Sequence, residues 1–290
     1  MRRFLSVKTP TKLAPALAII YVFLKTSTVL ATEELPFSDM ADWGPTTFMM
    51  GGASAASSSD HDAFLNNPAG LMYYERRYSI GGHYLETARE QTSYSASTID
   101  GNKGVLSGFH FGSVSYGRPK RQSYTLAVAY KTPYGALGVS TSALRFTGVS
   151  PGKGWHFSGT MGVLIPVAYQ ISIGGSVKSV LDREKNTQLP PQVKMGIMYS
   201  NPNQIRVAFD ADRRFNIHNQ DWNYSLGGDY LMKNYFAVRG GYHWNHSTDY
   251  SFYSAGGGIV SPKFEIYGMY MRTTSGPDSN GYGVNAQLLF

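Results

Sequence analysis

Residues 235–245 read Tyr-Phe-Ala-Val-Arg-Gly-Gly-Tyr-His-Trp-Asn, and their apolar and polar side chains alternate with a period of two. Phe236 and Val238 fall on one face of an extended chain, whereas Arg239 and His243 fall on the other. Successive side chains of a β-strand point to opposite faces of the sheet. The stretch therefore predicts a strand with one apolar side and one polar side.

The same pattern recurs from about residue 77 to the C-terminus. In the last segment Tyr282, Val284, Leu288 and Phe290 share one face, and Leu289 interrupts the polar face. The segments are about 10 residues long, the length that a tilted strand needs to cross a bilayer. Fourteen can be counted, beginning near residues 77, 92, 105, 122, 135, 154, 168, 192, 205, 221, 235, 250, 264 and 281. The predicted fold class is all-β, a transmembrane antiparallel β-barrel of about 14 strands (12–14).

The connections between these segments alternate in length. Residues 132–135 and 261–263 form short turns, whereas residues 181–191 and 213–221 form longer, more polar loops. Bacterial outer-membrane barrels have short periplasmic turns and longer external loops. The alternation therefore predicts an outer-membrane barrel with both termini in the periplasm.

Composition excludes several classes of protein. The 290 residues contain no Cys, so there is no disulfide framework or thiolate metal site, and only 16% of them are charged. Of the 26 Lys and Arg, five lie within residues 1–31, so the remainder carries 21 against 19 Asp and Glu. A nucleic-acid-binding domain needs clustered positive charge, so nucleic acid is not an expected partner.

The N-terminus has the order of features of a secretory signal. Arg2, Arg3 and Lys8 precede the apolar stretch 13–24, and small residues follow at 29–31. Twelve apolar residues are too few to span a bilayer as a helix. Residues 1–31 therefore predict a cleaved signal peptide and export of the chain. Together with the barrel pattern, this export predicts that the protein is in the bacterial outer membrane.

Residues 32–76 differ from the predicted barrel, residues 77–290. The part from Thr32 to Asp60 is rich in Gly, Ala, Ser and Met and has no usable period. It is either a periplasmic tail or a plug (hatch) folded inside the lumen, where small residues suit tight packing.

Two stretches carry a family resemblance. Met49–Ala53 and Ala63–Leu71 resemble the N-terminal hatch of the long-chain fatty-acid transporter family, in which a Gly/Ala-rich stretch precedes an Asn-Pro-Ala motif. The chain is shorter than typical members, so it is similar to the compact ones. The resemblance implies a lumen plug with these hatch residues: Asn66, Asn67, Pro68, Ala69 and Gly70.

The C-terminal strand resembles the assembly signal of outer-membrane proteins in general. Tyr282, Val284, Leu288 and the terminal Phe290 carry that resemblance. It implies the barrel-assembly machinery as a partner.

The polar faces of the predicted strands supply candidate lumen residues: Lys178, Arg206, Asp210, Asp212, Asp229, Arg239 and His243. Asp210 and Asp212 share a face with arginines nearby in sequence, which favours a charge-paired network over acid–base catalysis. His243 and His246 fall on opposite faces of a strand, which argues against a shared metal. We expect no catalytic residue, no metal and no cofactor, and the chain is not predicted to be an enzyme.

These observations leave two functions open. The first is passive transport of hydrophobic small molecules, fatty-acid-like or aromatic, across the outer membrane. The alternative is a structural barrel that does not transport and instead docks a partner protein, as secretion-associated relatives do. In either case we expect a monomer surrounded by outer-membrane lipid and lipopolysaccharide.

Overall fold

The computed structural model is a single closed barrel of antiparallel strands, in which β1 pairs with β14. It describes residues 43–58, 60–73, 78–87, 91–102, 104–116, 120–148, 154–180, 191–201, 205–215, 221–233, 235–246, 250–275 and 280–290. The predicted signal peptide and residues 32–42 of the predicted plug lie outside these ranges. The 14-stranded barrel predicted from the sequence is confirmed, and each strand begins within three residues of its predicted start.

The strands follow one another around the barrel in sequence order. Their bounds are β1 Tyr78–Thr87, β2 Gln91–Asn102, β3 Val105–Tyr116, β4 Lys120–Thr132, β5 Gly135–Thr147, β6 Gly154–Ala168, β7 Ile171–Lys178, β8 Gln192–Asn201, β9 Ile205–Arg214, β10 Asn223–Met232, β11 Phe236–Asn245, β12 Tyr250–Val260, β13 Phe264–Ser275 and β14 Asn280–Leu289.

The two faces of the strands differ as the alternation predicts. In β11, Val238 is 44% exposed on the outer face, whereas Arg239 is 5% exposed on the inner face. In β14, Leu289 faces inward and is 6% exposed. Leu289 interrupts the polar pattern because it packs in an inner apolar cluster with Phe64 and Ile99. An apolar outer face and a hydrogen-bonded closed sheet are what a bilayer requires of a spanning barrel.

The two rims of the barrel differ in the length of their connections. At one rim, called here the short end, two residues join β4 to β5 and two join β6 to β7. At the opposite rim, the long end, residues 179–191 join β7 to β8 and residues 215–222 join β9 to β10. β1 begins and β14 ends at the short end. That the short end faces the periplasm stays a prediction.

Two rows of aromatic rings lie on the outer face near the long end. In the first row, Tyr94, Phe111, Tyr124 and Trp155 follow one another with ring centroids 5.2–6.1 Å apart. The second row comprises Phe209, Tyr224 and Trp244, with centroids 6.0 and 6.1 Å apart. Tyr and Trp prefer the interface between hydrocarbon and water, so the rows mark the edge of the membrane-spanning band.

Residues 43–58 and 60–73, called here the inner segment, lie in the lumen. The inner segment contains the five-residue helix α1, Pro45–Met49, and two 3₁₀ helices, Asp60–Phe64 and Pro68–Tyr73. Pro45 suits the first position of α1 because its fixed φ matches the helix and a backbone N–H is not needed there. The Asp62 carboxylate accepts a hydrogen bond from Thr47 N at 2.5 Å and so caps α1 from a distance in sequence. No helix among the described residues is long and apolar enough to cross a membrane.

Candidate functional site

The inner segment crosses the lumen and contacts opposite walls. Its helix α1 packs against β11, β12 and β13. Its second 3₁₀ helix packs against β4, β5 and β6. The two walls present different side chains to the inner segment.

On β8 and β9 a buried ion pair holds the middle of the inner segment. The Asp210 carboxylate accepts hydrogen bonds from Ser54 N at 2.5 Å and Ala55 N at 2.7 Å. Lys194 Nζ lies 3.8 Å from the same carboxylate oxygen and donates to Gly52 O at 2.7 Å and Ser54 Oγ at 2.9 Å. Asp210 is fully buried and Lys194 is 2% exposed. Charges this deep are stable only when paired and hydrogen-bonded, so the inner segment and the pair stabilise each other.

A second charge network lies on β9, β10, β11 and β13. Asp229 accepts hydrogen bonds from Arg206 and, at 3.1 Å, from Arg239 Nε. Arg239 also donates to Thr46 Oγ1 of α1 at 3.0 Å and to Tyr267 Oη at 3.2 Å. Its guanidinium carbon lies 4.2 Å from the centroid of the Tyr267 ring. Arg239 therefore joins three strands to the start of the inner segment.

Two further predicted lumen residues are bonded within the wall itself. Asp212 accepts hydrogen bonds from Gln192 at 2.8 Å and Asn223 at 3.3 Å. His243 Nδ1 lies 2.9 Å from Ser225 Oγ. None of these bonds reaches the inner segment, so they fix the wall and not the segment.

An apolar and aromatic cluster closes the same wall toward the long end. Trp43 meets His243 edge to face, with centroids 5.1 Å apart, and tilts over Phe252 at 5.7 Å. Lys194 Nζ lies 5.8 Å from the centroid of the Trp43 ring. The inner segment and the strands both contribute further buried side chains to this cluster: Phe48, Met49, Ala237, Tyr267, Met269 and Met271. Thioether side chains adapt their shape readily, so this wall could accommodate an apolar solute if α1 moved away.

The Asn-Pro-Ala motif ties the inner segment to β6 and to itself. Asn67 Nδ2 donates to Ala55 O at 2.6 Å and to Val163 O at 3.0 Å. Its side-chain oxygen accepts from Ala69 N at 3.1 Å, and its carbonyl accepts from Gly70 N at 2.9 Å. The Asn67 side chain thus satisfies backbone groups in two parts of the segment and one strand.

Asn66, the residue before the Asn-Pro-Ala motif, also connects two parts of the inner segment and one strand. Its Nδ2 donates to Thr47 Oγ1 at 3.0 Å and to Asp62 O at 3.2 Å. Its Oδ1 accepts a hydrogen bond from Lys178 Nζ of β7 at 3.3 Å. Pro68, the second residue of the Asn-Pro-Ala motif, begins the second 3₁₀ helix.

Inward-facing glycines allow the inner segment to lie directly on the strands. A Cβ at Gly241 would overlap the backbone of Met50 and Gly51, and one at Gly138 would overlap that of Pro68 and Ala69. The inner-segment backbone lies equally close to Gly174 and Gly227, and the Phe64, Asn67 and Met49 side chains lie against Gly108, Gly162 and Gly256, respectively. We call these seven positions the glycine belt. Glycine is the residue that permits such close backbone approach.

A half-enclosed cavity lies beside the inner segment on the β4–β7 side, in the half of the lumen nearer the long end. Its empty space, counted together with the part that is open to solvent, is about 470 Å³. Phe64 and Leu65 of the inner segment contribute apolar surface, and Arg121 and Lys178 contribute positive charge. The remaining described lining residues are Ser123, Thr125, Ser142, Leu144, Ser158, Thr160 and Ser179.

The structure places the seven predicted lumen residues on the inner face, and all seven take part in the contacts described above. Asp210 does not pair with the nearby arginines of its own strand. Arg213 alternates to the outer face, and the partner of Asp210 is Lys194 on the neighbouring strand. The proposed assembly residues Tyr282, Val284, Leu288 and Phe290 are exposed on the outer face.

Sequence reasoning missed Lys194, Asp62 and His61. His61 lies within hydrogen-bond distance of Ser79 on β1, 3.1 Å away, and of Ser97 on β2. Lys194 and His61 bind across the boundary between the inner segment and the barrel, whereas the bonds given for Asp62 lie within the inner segment. Lys194 alone carried a usable signal, because it falls on the polar face of β8.

Comparison with known proteins gives the fold a context. No protein-family model matches the chain, and no curated protein sequence matches it significantly. Among solved structures, the CymD monoaromatic hydrocarbon channel is 15% identical, with a TM-score of 0.71 over 88% of this chain and 99% of that one. The toluene transporter TodX of Pseudomonas putida is 14% identical, with a TM-score of 0.65 over 87% and 99%. A Pseudomonas aeruginosa FadL homologue is 12% identical, with a TM-score of 0.61 over 90% and 100%.

The chain has the FadL-like barrel fold. The fold implied by the resemblance to the long-chain fatty-acid transporter family is therefore confirmed, as is the outer-membrane type of barrel. CymD is a hydrocarbon channel and TodX is a toluene transporter.

Proposed function

We propose that this protein passes hydrophobic small molecules, fatty-acid-like or aromatic, passively across the outer membrane. The observation that carries the proposal is the cavity beside the inner segment, inside a barrel of the fold shared with hydrocarbon channels. Apolar solutes cross lipopolysaccharide poorly, because its polar sugars and phosphates present no apolar path. A barrel with an internal cavity supplies one.

The lumen provides two environments for such a solute. The cavity offers a small apolar surface, Phe64 and Leu65, next to hydroxyls and two cations. The wall behind α1 offers Met269 and Met271, against which Met49 of α1 packs. A solute held first at the cavity would reach the apolar wall once the inner segment shifts.

In this mechanism the inner segment acts as the plug. It closes the lumen at rest and loosens to let the solute pass. Asn66, Asn67 and Pro68 anchor it on the β4–β7 side, because their bonds satisfy backbone groups that an apolar solute could not satisfy. No residue is assigned a catalytic role.

The docking alternative rests on the shortness of the loops. The longest connection comprises residues 179–191, which leaves little external chain to capture a solute. A barrel of this kind could instead present its rim to a partner protein.

The test uses the purified full chain in proteoliposomes that contain lipopolysaccharide, the barrier to apolar solutes, and the empty vesicles have the same lipid composition. Uptake of radiolabelled toluene and of a radiolabelled fatty acid is measured against empty vesicles and against vesicles in which Asn66 and Asn67 are both replaced by Ala. A transporter raises uptake of at least one probe, and the double variant changes the rate while the barrel keeps its heat-modifiable gel mobility. Uptake equal to that of empty vesicles for both probes, together with a protein partner that copurifies stoichiometrically, would favour the docking barrel.

A further inference from the structure

We propose that the outer face of β4–β6, near the long end, binds a phosphate group of an outer-leaflet glycolipid. The site comprises Lys120 and Arg145, with Tyr124 and Trp155 beneath them. It concerns the lipid around the barrel, so it is independent of the transport proposal.

The register of the strands brings these side chains together. Arg145 lies opposite Gln122 on one side and opposite Trp155 on the other. Lys120 lies opposite Thr147, which is two residues closer to the long end than Arg145, and both cations lie on the outer face. Diagonal neighbours of this kind are about 7–8 Å apart, a spacing that two cations can bridge to one phosphate.

The height of the pair on the barrel matches the headgroup layer. The Arg145 guanidinium carbon lies 6.0 Å from the Trp155 ring centroid, and Trp155 continues the first aromatic row next to Tyr124 at 5.8 Å. Toward the short end the outer face becomes apolar, with Leu126 at 58% exposure and Val139 at 53%. The cations therefore lie where the hydrocarbon ends, the level at which a lipid carries its phosphates.

The charge of the pair is uncompensated within the described part of the chain. Neither Lys120 nor Arg145 has a carboxylate within 4.0 Å among those residues. The second aromatic row differs in this respect. There His246, 5.3 Å from the Trp244 ring, lies 3.7 Å from the carboxylate of Asp221. The first row thus combines an interfacial aromatic surface with two cations that have no carboxylate partner in the described part of the chain.

The chemistry of the partner follows from these groups. An arginine fork and a lysine ammonium bind a phosphate through charge-assisted hydrogen bonds. Exposed apolar side chains directly below accept acyl chains. A lipid that bears phosphates and several acyl chains, of the lipid A type, fits both parts, and it is the lipid of the external leaflet if the long end faces outward.

The experiment measures lipid occupancy of the purified full chain by native mass spectrometry. Defined lipid A with two, one or no phosphates is added in EDTA, so that divalent cations cannot bridge the anion to the protein. We expect the bisphosphorylated lipid to bind most and the phosphate-free lipid least. The variant K120Q/R145Q should lower occupancy by the bisphosphorylated lipid on the order of tenfold, the effect of losing a charge-assisted hydrogen bond.

Two matched variants make the result specific. K120R/R145K keeps both charges and should retain the lipid. K131Q/K263Q removes two exposed lysines at the short end and should also retain it. Undiminished occupancy in K120Q/R145Q with native gel mobility would overturn the proposal. So would equal displacement of lipid A by phosphatidylglycerol at the same concentration, since that result would show a general affinity for anionic lipid.

Discussion

The two walls of the lumen hold the inner segment by different means. On the β8–β13 wall, Asp210, Lys194 and Arg239 bind it through buried charges, and aromatic and thioether side chains pack behind it. On the β4–β7 wall, Val163 O and Lys178 hold it through hydrogen bonds to its Asn67 and Asn66 side chains, beside a cavity. The difference predicts that the β8–β13 wall holds the inner segment more strongly than the β4–β7 wall does.

The largest expected effect is at Asp210. Replacing Asp210 by Ala removes the acceptor of Ser54 N and Ala55 N and leaves Lys194 charged and buried. Breaking a buried pair in this way costs about 3–5 kcal/mol. We expect residues 43–58 to lose protection in hydrogen exchange by several orders of magnitude, and single-channel conductance in planar bilayers to rise.

The control for this variant is Asp212→Ala, two residues along the same strand. The hydrogen bonds given for Asp212 come from Gln192 and Asn223 of the wall, so the inner segment should keep its protection. If both variants release the segment equally, the β8–β9 attachment is not specific to Asp210.

A smaller effect is expected at Arg239. Arg239→Met removes the bond to Thr46 but leaves Asp229 paired with Arg206, at a cost of about 1.5–3 kcal/mol. Hydrogen exchange of α1 should increase more than that of the second 3₁₀ helix. Arg206→Met also disturbs Asp229 but spares Thr46, so an equal loss of protection in that variant would contradict the assigned role of Arg239.

On the opposite wall, Asn67→Ala removes donors to Ala55 and Val163, which costs about 1–3 kcal/mol. Protection should fall in the second 3₁₀ helix first, and uptake of toluene or fatty acid should change while heat-modifiable mobility stays native. Asn67→Asp keeps the acceptor for Ala69 but loses both donors, so it should behave like Asn67→Ala. A variant that loosens α1 before the 3₁₀ helix would reverse the comparison of the walls.

The smallest effect on stability is expected at Lys178, which is half-buried at the cavity. Lys178→Gln should cost less than about 1 kcal/mol, because the ammonium is only partly removed from water. Its effect should appear instead in uptake, with the fatty-acid probe slowed more than toluene, because only the fatty acid carries a carboxylate. If Lys178→Gln changes the uptake rates of toluene and of the fatty acid by the same factor, Lys178 does not interact with the carboxylate of the solute.

The sequence predicted the barrel well because strand faces are a local property. Val238 and Arg239 differ by one position, and that alternation alone places one in lipid and the other in the lumen. Weakly patterned segments such as β2, where Ser93 and Ser97 face inward and Tyr94 outward, are strands because their neighbours complete their hydrogen bonds.

The site was predicted only in part, because pairing across strands depends on register and on the inner segment. Lys194 and Asp210 are 16 residues apart in sequence and meet only once β8 lies beside β9 and Ser54 fills the space between them. The cap that Asp62 gives to α1 likewise exists only in the folded segment. The Asn-Pro-Ala motif drew attention to Asn67, but no local rule predicts its bond to Val163 of β6.

The glycine belt has a consequence for how the barrel is made. At Gly138 and Gly241, on opposite walls, the chain of the inner segment rests on the strand backbone itself. An inner segment in such close contact with several strands could not enter a barrel that had already closed. We therefore expect the inner segment to lie against the strands before β14 pairs with β1 and closes the barrel. In that order of assembly, the inner segment acts as a template for the diameter of the barrel.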